Sequence, residues 1–241
     1  MTKSEIQLVR SLHDKSARTQ NGLFLAEGEK LISEIIESPL CIRRIYATDA
    51  KLQGDNVEHI SPKEMERIST LKSANNSVAV VEIPRYEIDI EAMRGKLILA
   101  LDNVQNPGNL GTIIRLADWF GIEDIVCSPT TADLYNPKVV QATMGAITRV
   151  RVHYTPLVPF LTECQMTIYG TLLDGENIYT QPLSSQGVIV MGNEGRGLSE
   201  EVISLIDKPL YIPPFPADRN SSESLNVAIA TAVVCSEFRR R

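Results

Sequence analysis

Two apolar runs without polar alternation constrain this chain most: Leu97-Ile98-Leu99-Ala100-Leu101 and Val188-Ile189-Val190-Met191. A strand with one wet face alternates apolar and polar residues. A strand that is apolar throughout is buried on both faces, the habit of parallel sheets covered by helices. Each run stops in turn formers. The first opens into Asp102-Asn103-Val104-Gln105-Asn106-Pro107-Gly108-Asn109, the second into Gly192-Asn193-Glu194-Gly195-Arg196-Gly197. Glycines directly after a buried strand mark a place where something comes close to the backbone. A third short run, Tyr211-Ile212, ends in Pro213-Pro214, and Ser224-Leu225-Asn226-Val227 then opens a helix. In open α/β sheets ligands bind beyond the carboxyl ends of the strands, so the three turns are read as the walls of one cleft.

The segments around these runs alternate strand and helix. Residues 2 to about 20 read as a helix followed by a basic loop, and Phe24 to Gly28 as a short strand. Leu31, Ile32, Ile35 and Ile36 repeat at helical spacing, and Ser38-Pro39 stops that helix. Ile42–Ala47, Val57–Ile60 and Ser77–Ile83 are strand candidates. Ser61-Pro62-Lys63-Glu64 is a helix start with a hydroxyl cap and proline at the first helical position. These elements form a small α/β unit over residues 1–84. The stretch 85–96 is charged, follows Pro84 and holds Gly95, and reads as a linker. Residues 97–241 form a second α/β unit. Its further strands are Asp124–Cys127, Val150–Tyr154 and Thr167–Thr171, and Asn136-Pro137 caps a helix. Ser224 is the candidate N-cap of the last helix, with Asn226 in its first turn.

Composition excludes several classes. The net charge of −6 does not suit a strongly basic nucleic-acid binder, so any nucleic-acid contact rests on local patches. An aromatic content of 5% argues against a stacking platform for single strands. Cys41, Cys127, Cys164 and Cys235 are far apart and form no metal-ligand pattern, so buried thiols are expected and no metal. No run approaches the roughly 18 apolar residues of a membrane span. The first residues lack an apolar signal core. A soluble cytoplasmic protein is the expectation.

Neither glycine loop is a known nucleotide fingerprint. G-x-G-x-x-G is absent after Leu101, and the second loop lacks the G-K-[ST] ending of a phosphate loop. A nicotinamide oxidoreductase on a Rossmann sheet is therefore disfavoured. Asparagines commonly shape turns, and an arginine on a helix commonly faces water. Taken singly, Asn103, Asn106, Asn109 and Arg115 need no function. Glu194 between glycines at a strand end is harder to explain by folding alone.

Taken together, the motifs carry a resemblance. Asn109-Leu110-Gly111 with Arg115, Met191 through Gly197, and Ser224 through Ala228, in this order, resemble the three motifs of the SpoU (TrmH) family of RNA 2'-O-ribose methyltransferases, within the SPOUT superfamily. Gly22 through Gly28 is similar to the L30e-like substrate-binding domain that precedes the catalytic domain in many members. The segment between Pro213 and Ser224 is longer than the family's usual link. The resemblance implies a mostly parallel α/β domain with a C-terminal trefoil knot, S-adenosylmethionine as cofactor, and a homodimer. It implies catalytic roles for Asn109, Arg115, Glu194, Ser224 and Asn226, and cofactor contacts at Thr171, Gly192, Gly195, Ile212 and Leu225. RNA is expected on basic residues of the first unit: Arg10, Lys15, Arg18, Arg43, Arg44 and Lys72. The substrate implied is guanosine in 23S ribosomal RNA. The alternatives are transfer RNA, or a non-catalytic knotted module that only binds RNA.

Overall fold

A computed structural model of the chain describes residues 1–216 and 224–240. Along the sequence the elements are α1 Lys3–Ser11, α2 Lys15–Asn21, β1 Leu23–Glu27, α3 Glu29–Ile36, β2 Ile42–Ala47, β3 Val57–His59, α4 Pro62–Ile68 and β4 Ser77–Glu82. Then come α5 Ile90–Met93, β5 Leu97–Leu101, α6 Pro107–Trp119, β6 Asp124–Cys127, α7 Pro137–Thr143, β7 Arg151–Tyr154 and α8 Leu157–Glu163. The last are β8 Ile168–Asn177, β9 Gly187–Met191, α9 Glu200–Ile203, β10 Lys208–Tyr211 and α10 Val227–Arg240. The chain divides into two units. One holds Met1–Arg85 with Asp133–Arg149, the other Tyr86–Ala132 with Val150–Arg241.

In the first unit the sheet order is β1-β4-β2-β3, with β4 antiparallel to both neighbours and β3 parallel to β2. Helices α1 and α4 both start in capping boxes, Thr2 with Glu5 and Ser61 with Glu64, so each satisfies its free N–H groups locally. Their apolar faces, through Ile6, Val9, Met65 and Ile68, pack on Leu23, Leu25, Val78 and Val80. The expected basic loop after α1 is instead helix α2, ended by Gly22 at φ +64°. The segment 133–149 leaves the second unit and folds with the first. Gln141 donates to the carbonyl of Glu27 at 2.6 Å, and Arg149 pairs with Glu34 at 2.6 Å.

In the second unit six strands run in the order β10-β8-β9-β5-β6-β7, every neighbouring pair parallel. The two apolar runs of the sequence are its adjacent central strands, paired from Leu97 with Gly187 to Leu101 with Met191. Every residue of both is buried. Their loops therefore leave the same edge side by side. The stretch read as a linker contains α5, whose Met93 joins the core formed by Ile98, Ala100, Val188 and Val190. Helix α10 packs on α6. Near its end Arg239 donates to the carbonyls of Phe120 and Gly121, which close α6. Cys127, Cys164 and Cys235 are buried, and burial pushes the Cys235 thiol up to about 12; Cys41 is exposed, against expectation.

One buried charge cluster lies at the opposite, amino-terminal edge of this sheet. The Asp124 carboxylate accepts from Arg151 at 2.7 and 2.8 Å and from His153 at 3.0 Å. Burial alone would raise its pKa, but the donors and charges of His153 and Arg151 outweigh burial and hold it well below the carboxylate range. A depressed carboxylate contributes stability that is present above the unfolded pKa and lost as pH falls through the folded one. Asp124→Asn should cost about 2–3 kcal/mol at neutral pH, less than a fully buried pair because Arg151 is partly exposed. The penalty should narrow below about pH 4. Urea titrations at pH 7 and pH 3 check this.

Candidate active site

The loop after β5 is shaped by asparagines. Asn103 holds φ at +59°, a conformation asparagine tolerates, and its N–H donates to the hydroxyl of Ser128 at 2.9 Å. Asn106 caps α6, its side-chain oxygen accepting from the N–H groups of Gly108 and Asn109. The cap presents Asn109, on the first turn of the helix, to the neighbouring loop.

That loop, after β9, is a short hairpin. Asn193 and Gly197 exchange two backbone hydrogen bonds of 2.9 Å, leaving Glu194-Gly195-Arg196 as the tip. The side-chain oxygen of Asn193 accepts from the N–H groups of Gly195 and Arg196. The glycines have different reasons. A Cβ on Gly192 would sit 2.5 Å from the backbone carbon of Gly197, so the hairpin itself forbids one. A Cβ on Gly195 would meet nothing nearer than 3.8 Å, and Gly195 does not have the left-handed backbone of Gly197. The open space beside Gly195 is a place where a ligand can reach the backbone.

A chain of amides joins the three motifs. Asn109 Nδ2 donates to Glu194 Oε1 at 2.6 Å, and Asn226 Nδ2 donates to Asn109 Oδ1 at 3.1 Å. Asn226 Oδ1 accepts from the N–H groups of Ala228 and Ile229. Asn226, not Ser224, thus caps α10, and the helix begins at Val227. The carboxylate, two amides and two helix N-termini form one continuous network.

The other candidates are placed differently. Arg115 is exposed, about 120° round α6 from Asn109 at 3.6 residues per turn, and among the described residues it forms no hydrogen bond or ion pair. Ser224 and Leu225 are exposed just ahead of Asn226, and residues 217–223 of the long link lie outside the described residues. The Thr171 hydroxyl donates to the carbonyl of Val190 at 3.3 Å, two residues before Gly192. Ile212 directly follows β10. Thr171 directly follows the Gly170–Val190 pair and so lies beside the end of β9 and Gly192, whereas Ile212 follows the Tyr211–Asn177 pair at the far end of β8.

In the first unit Arg10, Lys15, Arg43 and Lys72 are exposed and Arg44 is partly buried. Glu27, itself buried, anchors the loop that leads to Lys72 by accepting from Ser69, from the Thr70 N–H at 2.6 Å and from the Thr70 hydroxyl. Arg18 leaves the RNA-facing set. It is 3% exposed, and its guanidinium donates to the carbonyls of Leu12 and His13 and to Asp133 at 2.5 Å. A guanidinium used inside the unit has no path to a phosphate. Among the described residues no group of His, Cys, Asp and Glu could hold a metal ion, and no helix is long and apolar enough to cross a membrane.

Residues 96–236, which contain all three motifs, match the SpoU rRNA methylase family. The chain belongs to that family. Residues 3–85 match the MRM3-like substrate-binding domain. A relative in Bacillus subtilis strain 168, the 23S rRNA (guanosine(2553)-2'-O)-methyltransferase RlmP, is 30% identical over 95% of this chain and 94% of its own. The 23S rRNA (uridine(2479)-2'-O)-methyltransferase of Streptomyces viridochromogenes is 29% identical over 95% of this chain and 87% of its own. The crystal structure of an AdoMet-bound rRNA methyltransferase from Sinorhizobium meliloti is 27% identical, superposes with a TM-score of 0.87, and covers 100% of this chain and 95% of its own. The α/β architecture, a small N-terminal unit followed by a parallel-sheet SPOUT domain, is thus that of the SpoU fold.

The resemblance gave roles to Asn109, Glu194 and Asn226 but none to Asp102 or to Asn193 within the second motif, whose hydrogen bonds join the loops around them. A carboxylate directly after a buried strand is a weak signal in a sequence, because its partner, Ser199, lies 97 residues away. The network makes a direct expectation. Asn109→Asp replaces the donor facing Glu194 with a second carboxylate. Two carboxylates that close raise at least one pKa in the folded state, and stability held by that proton is lost as pH rises through it. The variant should be less stable than wild type by about 1–3 kcal/mol at pH 7, with the deficit shrinking near pH 4. Denaturant melts at the two pH values measure it.

Proposed function

We propose that this SpoU-family chain is an S-adenosylmethionine-dependent RNA methyltransferase that modifies a ribose 2'-hydroxyl, with guanosine in 23S ribosomal RNA as the first substrate to test. The observation that carries the reading is the Asn226–Asn109–Glu194 network, which assembles three separate motifs at the carboxyl edge of the sheet. The near-full-length likeness to 23S rRNA 2'-O-methyltransferases supports it. One of these acts on guanosine and the other on uridine, so the base is the part of the proposal that needs its own measurement.

The cofactor would supply an electrophilic methyl group on a sulfonium. The residues present suit it. Gly195 leaves its backbone open, and in this reading Thr171, Gly192, Ile212 and Leu225 supply apolar surface and peptide groups that can receive an adenine face and read its edge. In this reading the second unit ends in a C-terminal trefoil knot. The protein works as a homodimer in the cytoplasm, with residues 1–84 binding RNA, 85–96 connecting, and 97–241 carrying the reaction.

A 2'-hydroxyl is a poor nucleophile, and displacement at carbon requires an in-line approach, so positioning supplies much of the rate. Arg115 keeps its proton far above neutral pH and is a poor general base. Exposed and without a protein partner among the described residues, it is suited to hold an RNA phosphate and orient the ribose. Asn109, itself held by Asn226, fixes the Glu194 carboxylate in one orientation, and Ser224, exposed two residues before Asn226, is assigned to positioning the ribose. Arg10, Lys15, Arg43, Arg44 and Lys72 offer local positive charge to RNA in an otherwise acidic protein.

The test is transfer of labelled methyl from S-adenosylmethionine to total RNA from cells lacking this protein. Label should enter 23S ribosomal RNA, and Arg115→Ala should lower the rate by about 100-fold while cofactor binding persists. Label confined to transfer RNA would overturn the substrate. No label from folded, cofactor-binding protein would overturn the catalytic reading in favour of an RNA-binding module.

A further inference from the structure

The hairpin that carries Glu194 holds glycine at three of its six residues from Gly192 to Gly197, a composition that favours motion. It is nevertheless gripped from outside at three points, all by the two residues that follow β5. The N–H of Asp102 donates to the carbonyl of Met191 at 2.9 Å, just before the hairpin. The carbonyl of Asn103 accepts from Asn193 Nδ2 at 2.8 Å. The Asp102 carboxylate accepts from Ser199 twice, from its N–H at 2.7 Å and its hydroxyl at 2.8 Å, just after the hairpin.

Ser199 makes the grip informative. It stands at the N-cap of α9, where a serine hydroxyl ordinarily accepts from the helix backbone. Here no side-chain cap bond forms, and the hydroxyl instead donates to Asp102. Asp102 is 7% exposed, and a buried charge needs strong donors to be tolerated. A cap has been given up for a bond across the base of the loop. The same Asp102–Asn103 pair leads into Asn106 and Asn109, so one stretch of backbone sets both the donor and the acceptor of the Asn109–Glu194 bond.

We propose that Asp102 is a positioning residue: with Ser199 and Asn193 it clamps the glycine hairpin so that Glu194 stays in register with Asn109. This rests on the reading of Glu194 as part of the catalytic site. Asp102 does not touch the reacting groups in this scheme. It acts by fixing the hairpin that does, because small displacements of a positioned group cost large factors in rate.

The experiment pairs amide hydrogen exchange with single-turnover methyl transfer to RNA, on wild type, Asp102→Asn, Ser199→Ala and Ser199→Thr. Ser199→Ala keeps the N–H bond and serves if Asp102→Asn folds poorly. Asp102→Asn should accelerate exchange of the 193–198 amides and slow transfer about 30-fold, Ser199→Ala about threefold, with β5 amides and the melting temperature little changed. Ser199→Thr, which keeps the hydroxyl, should restore both readouts. Faster exchange across the whole sheet, or an unchanged transfer rate in Asp102→Asn, would overturn the clamp. Failure of wild type to methylate any RNA would instead overturn the catalytic reading, and the exchange data alone would then decide whether the hairpin is held.

Discussion

Asn109 uses both ends of one amide on side chains from distant parts of the chain, giving a hydrogen bond to Glu194 and taking one from Asn226. The site depends on this. An amide has a fixed donor and a fixed acceptor, so the two partners are not interchangeable: the carboxylate must lie on one side and the second amide on the other. The parallel pairing of β5 with β9 brings the first two loops together, and the packing of α10 on α6 brings the third. The apolar core thus decides which loops meet, and the amide chain decides how they are oriented.

The glycine loop shows why composition alone misassigns purpose. Its glycines suggest close approach of a ligand. Gly192 is instead required by the backbone of Gly197 across the hairpin, Gly197 by its own φ of +72°, and Gly195 leaves open space with neither demand. A stiff hairpin with open backbone positions differs from a flexible glycine loop. It can offer a ligand fixed peptide groups without first losing conformational entropy.

Most of the framework was legible in the sequence because it rests on local physics. The apolar runs at β5 and β9, the hydroxyl cap at Ser61 and the Asn-Pro start of α7 stand where the residues indicate, whereas α6 begins at Pro107, inside the stretch read as a turn. What escaped depends on partners far along the chain. Arg18 looked like one more basic residue until Asp133, 115 residues away, and two carbonyls enclosed it. Ser224 and Asn226 are both good caps, and the tertiary bond to Asn109 accompanies the choice of Asn226. The excursion of 133–149 into the first unit has no proline, glycine or charge boundary distinctive enough to announce it. The catalytic motifs were found by resemblance, and Asp102 by the hydrogen bonds it makes.

The central claim is that this network serves chemistry at a ribose hydroxyl and not at a base. RNA methylated by the protein, digested to nucleosides and analysed by mass spectrometry, tests that claim most directly. A methyl group that stays with the ribose fragment, on a link that resists alkali, is the expected result. A methyl group that leaves with the base would contradict the account, whatever RNA carried it.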